Sequence, residues 1–493
     1  MSVPSFSIYD TATRKKVPLL APGARELSIY SCGPTVYQRI HIGNARSFVT
    51  PMAFVRYLRF CGVNVRYVSN ITDINDKIYT AAAAQGMPSA QLAKAAADWY
   101  IEDTSALGLG RPDEEPRATD WVAQMISLIE ELIAGGFAYE SAGDVYFRVD
   151  QYKQYGKLSN RQLDQMIEGS RDDLEGGAKE HALDFALWKA TKPGEDTSWD
   201  SPWGSGRPGW HIECSAMGEH LLGPEFDVHG GGIDLMFPHH ENELAQSRAA
   251  GRSFARIWMH YGMLEIGGGK MSKSEGNIQT LREVLDEWPA TTVLLLFYSA
   301  LYRNPMAFSS AVLEEAQASG QRITEALRRS ERYLGSVETR NAGDPSFVDS
   351  SRYWEGLHES LQDDFNIPMA MSELFGLVHD LNTAVNEHAT PQIVRDLRAA
   401  IIEFCDVFGL SALQPQPVDL TDEVRDLLEA REAARRQKNF EESDRIRDLL
   451  AEMGYVVRDT KDGADVVQSD DGASSDSDDG AAVGAADSDE LDD

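Results

Sequence analysis

Two strand-like segments on either side of a helical one constrain the fold of this chain more than any other feature of its sequence. Residues 27–31 (LSIYS) and 63–68 (VNVRYV) alternate as short strands, while Phe48, Met52 and Val55 between them recur at helical spacing. A strand, a helix and a second strand within about 40 residues make a right-handed βαβ unit and therefore a parallel sheet. Ligands of such sheets bind beyond the carboxyl ends of the strands.

Several polar residues are expected at that edge of the sheet. Cys32 ends the first strand, His41 and the following residues open the helix, and Thr72 follows the second strand. Asn44 is predicted to cap the helix, and Gly43 would let the backbone approach a ligand closely.

The remaining sequence predicts an α/β protein with a split Rossmann-type parallel-sheet catalytic domain, an insertion, a helical bundle and a small mixed α/β C-terminal domain. The sheet is expected to resume near Trp210, with strands at 225–228 and 256–261, and the period is helical from 280 to about 412. Beyond about 464 the chain has too little apolar content to fold. The predicted regions are 1–140 (first half of the catalytic domain), 141–207 (an irregular connective insertion), 208–265 (second half), 266–325 (mobile basic loop and stem-contact region), 326–415 (bundle), 420–463 (C-terminal domain) and 464–493 (acidic disordered tail).

Composition restricts the function less than the fold. The net charge is −33, and because residues 468–493 carry ten acidic and no basic residues, the rest of the chain still holds −23. Such acidity normally argues against a polyanionic partner, but it is also typical of adaptation to high salt, where carboxylate surfaces stay hydrated. Four scattered cysteines and the lack of an apolar leader or an 18-residue apolar run favour a reducing cytoplasm and no membrane contact.

The segment 229–243 (HGGGIDLMFPHHENE) ends with a histidine and a glutamate four residues apart, His239 and Glu243. On a helix both side chains point the same way, and together they make half of a zinc site. Cys32 and Cys214 lie in unusual glycine-flanked settings and are candidates for the other half. The alternative is that the histidine and the glutamate only decorate a polar helix.

Two separate motifs favour a functional site over a merely polar helix surface. HIGN (His41–Asn44) and KMSKS (Lys270–Ser274) stand in the order of the two signatures of class I aminoacyl-tRNA synthetases, which this chain therefore resembles. The resemblance implies attack of an amino-acid carboxylate on the α-phosphate of ATP with Mg²⁺, a reaction that depends on positioning and charge stabilisation. His41, Gly43 and Asn44 would hold the triphosphate at a helix start, and Lys270 and Lys273 would neutralise the leaving pyrophosphate. Asn44 replaces a second histidine of the family.

Longer stretches resemble one branch of that class, the cysteinyl-tRNA synthetases: residues 32–37, 72–77, 184–189 and 199–217. The resemblance spans about 5–460. It implies that Cys32, Cys214, His239 and Glu243 ligate one zinc ion. It also implies that Thr72, Trp210 and Asp234 line the amino-acid pocket, with His229 nearby, and that the partners are L-cysteine, ATP and tRNA(Cys) on a monomeric protein.

Zinc would have a physical purpose in such a site. Cysteine and serine differ by one atom and are separated poorly by shape, whereas zinc binds a thiolate far better than an alcohol. A purely structural zinc is the alternative, because four protein ligands are the usual structural set. Rival functions are a ligase that joins activated cysteine to an amino sugar, and a non-catalytic zinc- or RNA-binding relative.

A basic cluster stands out near the C-terminus. It comprises Arg431, Arg435, Arg436 and Lys438, with Phe440 beside them. A solvated helix face is the simple interpretation. The resemblance implies instead that this domain reads the GCA anticodon, whose unpaired bases would be stacked and read on their edges.

Overall fold

The structure is a computed structural model that describes residues 5–161, 179–266, 269–270, 279–338, 348–415, 421–460 and 463–468. The chain divides into two compact units, Met1–Pro415 and Gln416–Asp493. The first unit opens with an antiparallel hairpin of β1 (Ser7–Asp10) and β2 (Lys15–Pro18). No helix of the described residues is both long and apolar enough to cross a membrane.

The predicted βαβ unit is present as β3 (Glu26–Ser31), α1 (Ile42–Phe60) and β4 (Asn64–Ser69), with the two strands parallel. The prediction that Asn44 caps α1 is wrong. His41 is the N-cap, with extended backbone angles, and its Nδ1 accepts the backbone N–H of Asn44 at 3.2 Å. An imidazole nitrogen therefore takes the part that the amide was expected to play.

Three helices follow: α2 (Asp76–Gln85), α3 (Ser89–Ser105) and α4 (Val122–Ala134). The next segment, expected to be irregular, contains an antiparallel four-stranded sheet. Its strands, in spatial order, are β5 (Ala138–Ser141), β6 (Asp144–Phe147), β7 (Phe185–Ala190) and β8 (Gly206–Pro208). The alternating residues 144–149 predict a strand, which is present as β6. The other three strands have only three to six residues, too short a period to be recognised in the sequence.

The parallel sheet resumes later than expected. Trp210 starts a helix, α5 (Trp210–Leu222), and the sheet continues only with β9 (Glu225–Gly232) and β10 (Phe254–Tyr261). Between these strands lies α6 (Glu241–Ala249). The spatial order is β10-β9-β3-β4, all parallel, so the carboxyl ends of all four strands meet at one edge.

The two faces of this sheet have different roles. Ile29, Val228 and Ile257 point towards a large apolar core that includes α1 and the helical bundle. Tyr30, on the opposite face, pairs in register with His229 of β9, which pairs in turn with Trp258 of β10. This second face packs against α4, α5 and the antiparallel sheet, and it carries the candidate site.

The segment after β10 forms a three-stranded sheet of β11 (Leu264–Ile266), β12 (Gly269–Lys270) and β13 (Met306–Phe308). Along the chain, β12 is followed by the helices α7 (Leu281–Glu287) and α8 (Ala290–Tyr298) before β13. The predicted bundle follows as α9 (Ser310–Glu338), α10 (Glu355–Gln362), α11 (Ile367–Asn386) and α12 (Pro391–Val407).

The second unit contains α13 (Asp422–Arg436), α14 (Phe440–Glu452), β14 (Tyr455–Thr460) and β15 (Gly463–Gln468). The two strands pair antiparallel from Tyr455 with Gln468 to Thr460 with Gly463. The expectation that the chain is unfolded from 464 is therefore wrong for residues 464–468, whose backbone pairs with β14. Residues 469–493 lie outside the described residues.

Candidate active site and metal centre

The four predicted metal ligands meet at the carboxyl edge of the parallel sheet. Cys32 follows β3 directly, Cys214 lies in α5, and His239 and Glu243 lie before and within α6. The Sγ atoms of the two cysteines are 3.6 Å apart, and Cys32 Sγ is 3.4 Å from Glu243 Oε1. His239 Nε2 is 2.9 Å from the same oxygen. All four ligand atoms lie within 4.8 Å of one another, and all four residues are buried.

The histidine and the glutamate of this group each have an outer partner on the far side. His239 Nδ1 lies 2.8 Å from Nδ1 of His211, which leaves Nε2 directed at the centre. Glu243 Oε2 lies 2.8 Å from Nε2 of His229, which leaves Oε1 directed at the centre. Outer partners of this kind are typical of histidine and carboxylate ligands of zinc.

The donor set fits a zinc ion. Two sulfurs bound at about 2.3 Å in tetrahedral geometry lie about 3.8 Å apart, and the sulfurs of Cys32 and Cys214 are 3.6 Å apart. Two thiols, one imidazole and one carboxylate are ligands that zinc accepts. Gly33, next to Cys32, lets the backbone pass close to Asn70, because a Cβ at Gly33 would lie 1.6 Å from the carbonyl oxygen of Asn70.

The pKa values in this buried group favour negative charge on Cys214 and Glu243. Burial raises the pKa of the Cys32 thiol well above its usual value, and Cys214 and Glu243 add to the rise. Burial acts to raise the pKa of Cys214 too, but hydrogen bonds from Cys32 and His239 lower it to about 6. Burial likewise opposes ionisation of Glu243, yet attraction to His239 and His229 keeps its pKa well below normal. Burial acts to lower the pKa of His239, but Glu243 and Cys214 raise it to about 10. A proton on His239 thus balances part of the negative charge of Cys214 and Glu243. A divalent cation that binds here would displace that proton and balance the same charge.

Two of the four predicted pocket residues contact this group directly. Trp210 stacks on His239 with ring centroids 4.1 Å apart, and His229 contacts Glu243. Thr72 is buried and donates to Glu213 Oε2 at 2.9 Å. Asp234 is exposed at the end of β9, where a Cβ on Gly232 would lie 2.5 Å from its Oδ1.

The described residues that follow the KMSKS motif pair with the start of α1. His41 and Thr280 form an antiparallel bridge, in which the backbone N–H of Ile42 donates to Gln279 at 3.0 Å and that of Leu281 donates to Ile40 at 2.9 Å. His41 and Gly43 are half-buried, whereas Asn44 is exposed. Thr280, six residues after the end of the KMSKS motif, therefore lies beside the HIGN histidine.

Of the two lysines, only the backbone of Lys270 is described. It pairs with Glu265 in β11. Lys273 lies outside the described residues.

The sequence did not point to several residues that shape the site. Arg46 is buried and donates to four backbone carbonyls, at 2.7 Å to Gly262, 3.2 Å to Met263, 2.8 Å to Asn304 and 3.1 Å to Leu301. It thereby fixes α1 against the chain that leads to the KMSKS segment, and no local pattern predicts such long-range contacts. His211 stands three residues before Cys214, so helical spacing would have indicated its place once α5 was recognised.

Comparison with known proteins identifies the family. A family model described as the tRNA synthetases class I (C) catalytic domain matches residues 20–318, and a cysteinyl-tRNA ligase anticodon binding domain model matches 418–466. A DALR domain model matches 357–414. The cysteine–tRNA ligase of Hahella chejuensis is 42% identical over 472 residues, covering 93% of this chain and 98% of that one. The cysteine–tRNA ligase of Halorhodospira halophila is 44% identical over 468 residues with the same coverage. This chain belongs to the cysteine–tRNA ligase family.

Membership in the cysteine–tRNA ligase family confirms the predicted class of enzyme, an aminoacyl-tRNA synthetase, and the predicted branch of it. The fold is also shared more widely. The methionyl-tRNA synthetase of Mycobacterium tuberculosis, solved with methionyl-adenylate, aligns with a TM-score of 0.57 at 17% identity, covering 79% of this chain and 90% of that one. The match over 418–466 speaks against the amino-sugar ligase, which was expected to resemble this chain only up to the bundle.

Proposed function

We propose that this chain activates L-cysteine with ATP and transfers it to tRNA(Cys), and that a zinc ion held by Cys32, Cys214, His239 and Glu243 binds the substrate thiolate. The observation that carries the proposal is the gathering of four buried ligand atoms within 4.8 Å at the edge of the sheet where the HIGN helix begins. A family membership alone would not assign these residues.

Amino-acid selection follows from the donor set. When bound, zinc would supply a sulfur-seeking positive centre that favours a thiolate over a neutral alcohol. Trp210 covers the His239 ring with its indole and shields that side of the pocket from water. Thr72 is held by Glu213, which fixes the orientation of its hydroxyl. The exposed carboxylate of Asp234 is available to pair with the α-ammonium group of the substrate.

Activation follows from the start of α1. Because His41 Nδ1 accepts from the backbone of Asn44, a neutral ring carries its proton on Nε2 and can donate it to a phosphate oxygen. The first turn of the helix adds the positive end of its dipole. Lys270 and Lys273 would neutralise the pyrophosphate, and Mg²⁺, when bound, would supply further positive charge to the phosphates. Asn44 can donate a hydrogen bond there but carries no charge.

Recognition of tRNA(Cys) is assigned to the second unit. The exposed members of the predicted cluster are Arg435, Arg436, Lys438 and Phe440, which extend from the end of α13 to the start of α14. Arg431 is only 1% exposed, so the prediction that it belongs to this surface is wrong. Phe440 is 62% exposed, and an exposed ring beside basic side chains suits an unpaired base with its phosphates. We assign these exposed residues to the anticodon loop.

The test compares two cysteine variants. Cys214→Ser should lose zinc to a chelator that the parent protein resists, and should lose cysteine-dependent ATP–pyrophosphate exchange. Cys61→Ser, which changes a half-buried cysteine outside the group, should keep both properties. Retention of both properties by Cys214→Ser would refute the ligand assignment.

Three further expectations stay predictions. The chain is expected to be monomeric, to work in the cytoplasm, and to be adapted to high salt because of its excess of carboxylates. Sedimentation and charging assays across a range of KCl concentrations test the first and the third.

A further inference from the structure

A second set of potential ligands lies behind the first. Cys32 and Glu243 belong to both sets, but in the second they are joined by His229 and His240 in place of Cys214 and His239. The four ligand atoms of this second set also lie within 4.8 Å of one another, and all four residues are buried. Glu243 has one oxygen for each set, since Oε1 faces His239 and Oε2 faces His229.

The two additional histidines have unused nitrogens. Within the described part of the chain, His229 Nδ1 and His240 Nε2 have no hydrogen-bond partner, although both side chains are fully buried. An unmatched buried polar atom costs about 1–3 kcal/mol, so such atoms call for a ligand or a function. Gly231 keeps the space beside His240 open, because a Cβ there would lie 2.8 Å from its Nε2.

The second set also connects to a cavity. His240 Nδ1 lies 2.8 Å from His260 Nε2, and His260 Nδ1 lies 2.9 Å from Thr11 Oγ1. Thr11 and His260 line a cavity of about 270 Å³. A contiguous row of side chains that can bind a metal therefore leads from this cavity to the buried centre, whose first four ligands are between 0% and 8% exposed.

We propose that Cys32, His229, His240 and Glu243 form a second, weaker position for a zinc-class divalent cation, through which the ion passes between the cavity and the first site. An ion would move between the two positions by exchanging His229 and His240 for Cys214 and His239, without leaving Cys32 or Glu243. The second position offers one thiolate instead of two and therefore binds a thiophilic cation less tightly. His260 is the outer partner of His240, as His211 is of His239.

This inference rests on the proposed metal function of the first site, but its main test does not require that site. The variant Cys214→Ser/His239→Gln lacks two of the first four ligands and keeps the second set whole. Titrated with Co²⁺, it should bind one equivalent and show the charge-transfer absorption of a single thiolate, whereas the parent protein shows that of two. Adding His240→Gln should abolish this binding. A folded double variant without Co²⁺ binding, or a triple variant that binds as well as the double, would overturn the proposal.

If the double variant does not fold, the rate of zinc release decides. His240→Gln alone, in the full-length protein, should slow zinc release to a chelator and reloading by about tenfold each while leaving the stoichiometry at one. His220→Gln, an exposed histidine on α5, is the matched control and should change neither rate. Release and reloading rates of His240→Gln equal to those of the control would overturn the proposal.

Discussion

Replacing His211 with phenylalanine should weaken zinc binding although His211 is not a proposed ligand. Its Nδ1 lies 2.8 Å from Nδ1 of His239. Burial lowers the pKa of His211 well below its usual value, and the neighbouring His239 lowers it further, so this ring is neutral and can accept a hydrogen bond. Once His239 offers Nε2 to a metal ion, its Nδ1 must carry the proton and donate it to His211.

The size of the effect follows from the loss of that acceptor. Phenylalanine fills similar space but leaves the His239 N–H buried without a partner, which costs about 1–3 kcal/mol. At about 1.4 kcal/mol per factor of ten, the zinc dissociation constant should rise roughly 5- to 150-fold. Measured losses of outer partners in metal sites, about 10- to 100-fold, fall in the same range.

The assay is competition for zinc against a chromophoric chelator at pH 7.5. His211→Asn is the matched control, because its side-chain carbonyl can stand where Nδ1 stands and should restore most of the affinity. An affinity of His211→Phe within twofold of the parent protein would show that the hydrogen bond from His239 to His211 does not support zinc binding. An equal loss in His211→Asn would show that packing, and not the hydrogen bond, holds His239.

Three other predictions concern regions away from the metal centre. Lys273→Ala should lower the rate of cysteine activation by about 10²–10³-fold while changing cysteine affinity little, because its charge acts on the departing pyrophosphate; equal losses in both would count against this role. Arg46→Met should lower the free energy of unfolding by about 3 kcal/mol, measured with denaturant, because four buried carbonyls lose a charged donor; an unchanged midpoint would contradict it. Truncation after Gln468 should leave charging of tRNA within about twofold of the full chain, whereas truncation after Thr460 removes β15 and should raise the KM for tRNA. Equal charging by the two truncated proteins would show that β15 is dispensable.

The sequence predicted the parallel sheet because strands such as β3 and β4 alternate clearly and enclose a helix of regular period. It placed Trp210 in the sheet because the aromatic, glycine-rich run 199–210 looks extended, whereas the helix begins at Trp210 itself. The strand β15 was missed because it adjoins the acidic tail and is short, and its pairing with β14 is a contact that the sequence does not reveal.

The candidate site was likewise predicted only in part from the sequence. The residues of the four-membered group were predicted from a resemblance, and the structure brings all four together. Their outer partners could not be predicted, because His211 and His229 act through contacts that depend on how α5 and β9 pack. The contact between His240 and His260 could be predicted even less, because it depends on the placement of β10 beside β9.

X-ray absorption at the zinc K-edge of the loaded protein, with and without substrate, tests whether the metal ion binds the amino acid. We expect two sulfur ligands in the free protein and three after addition of L-cysteine, with no change on addition of L-serine. A sulfur count that stays at two with saturating cysteine would contradict the claim that the metal ion recognises the amino acid by bonding to its sulfur.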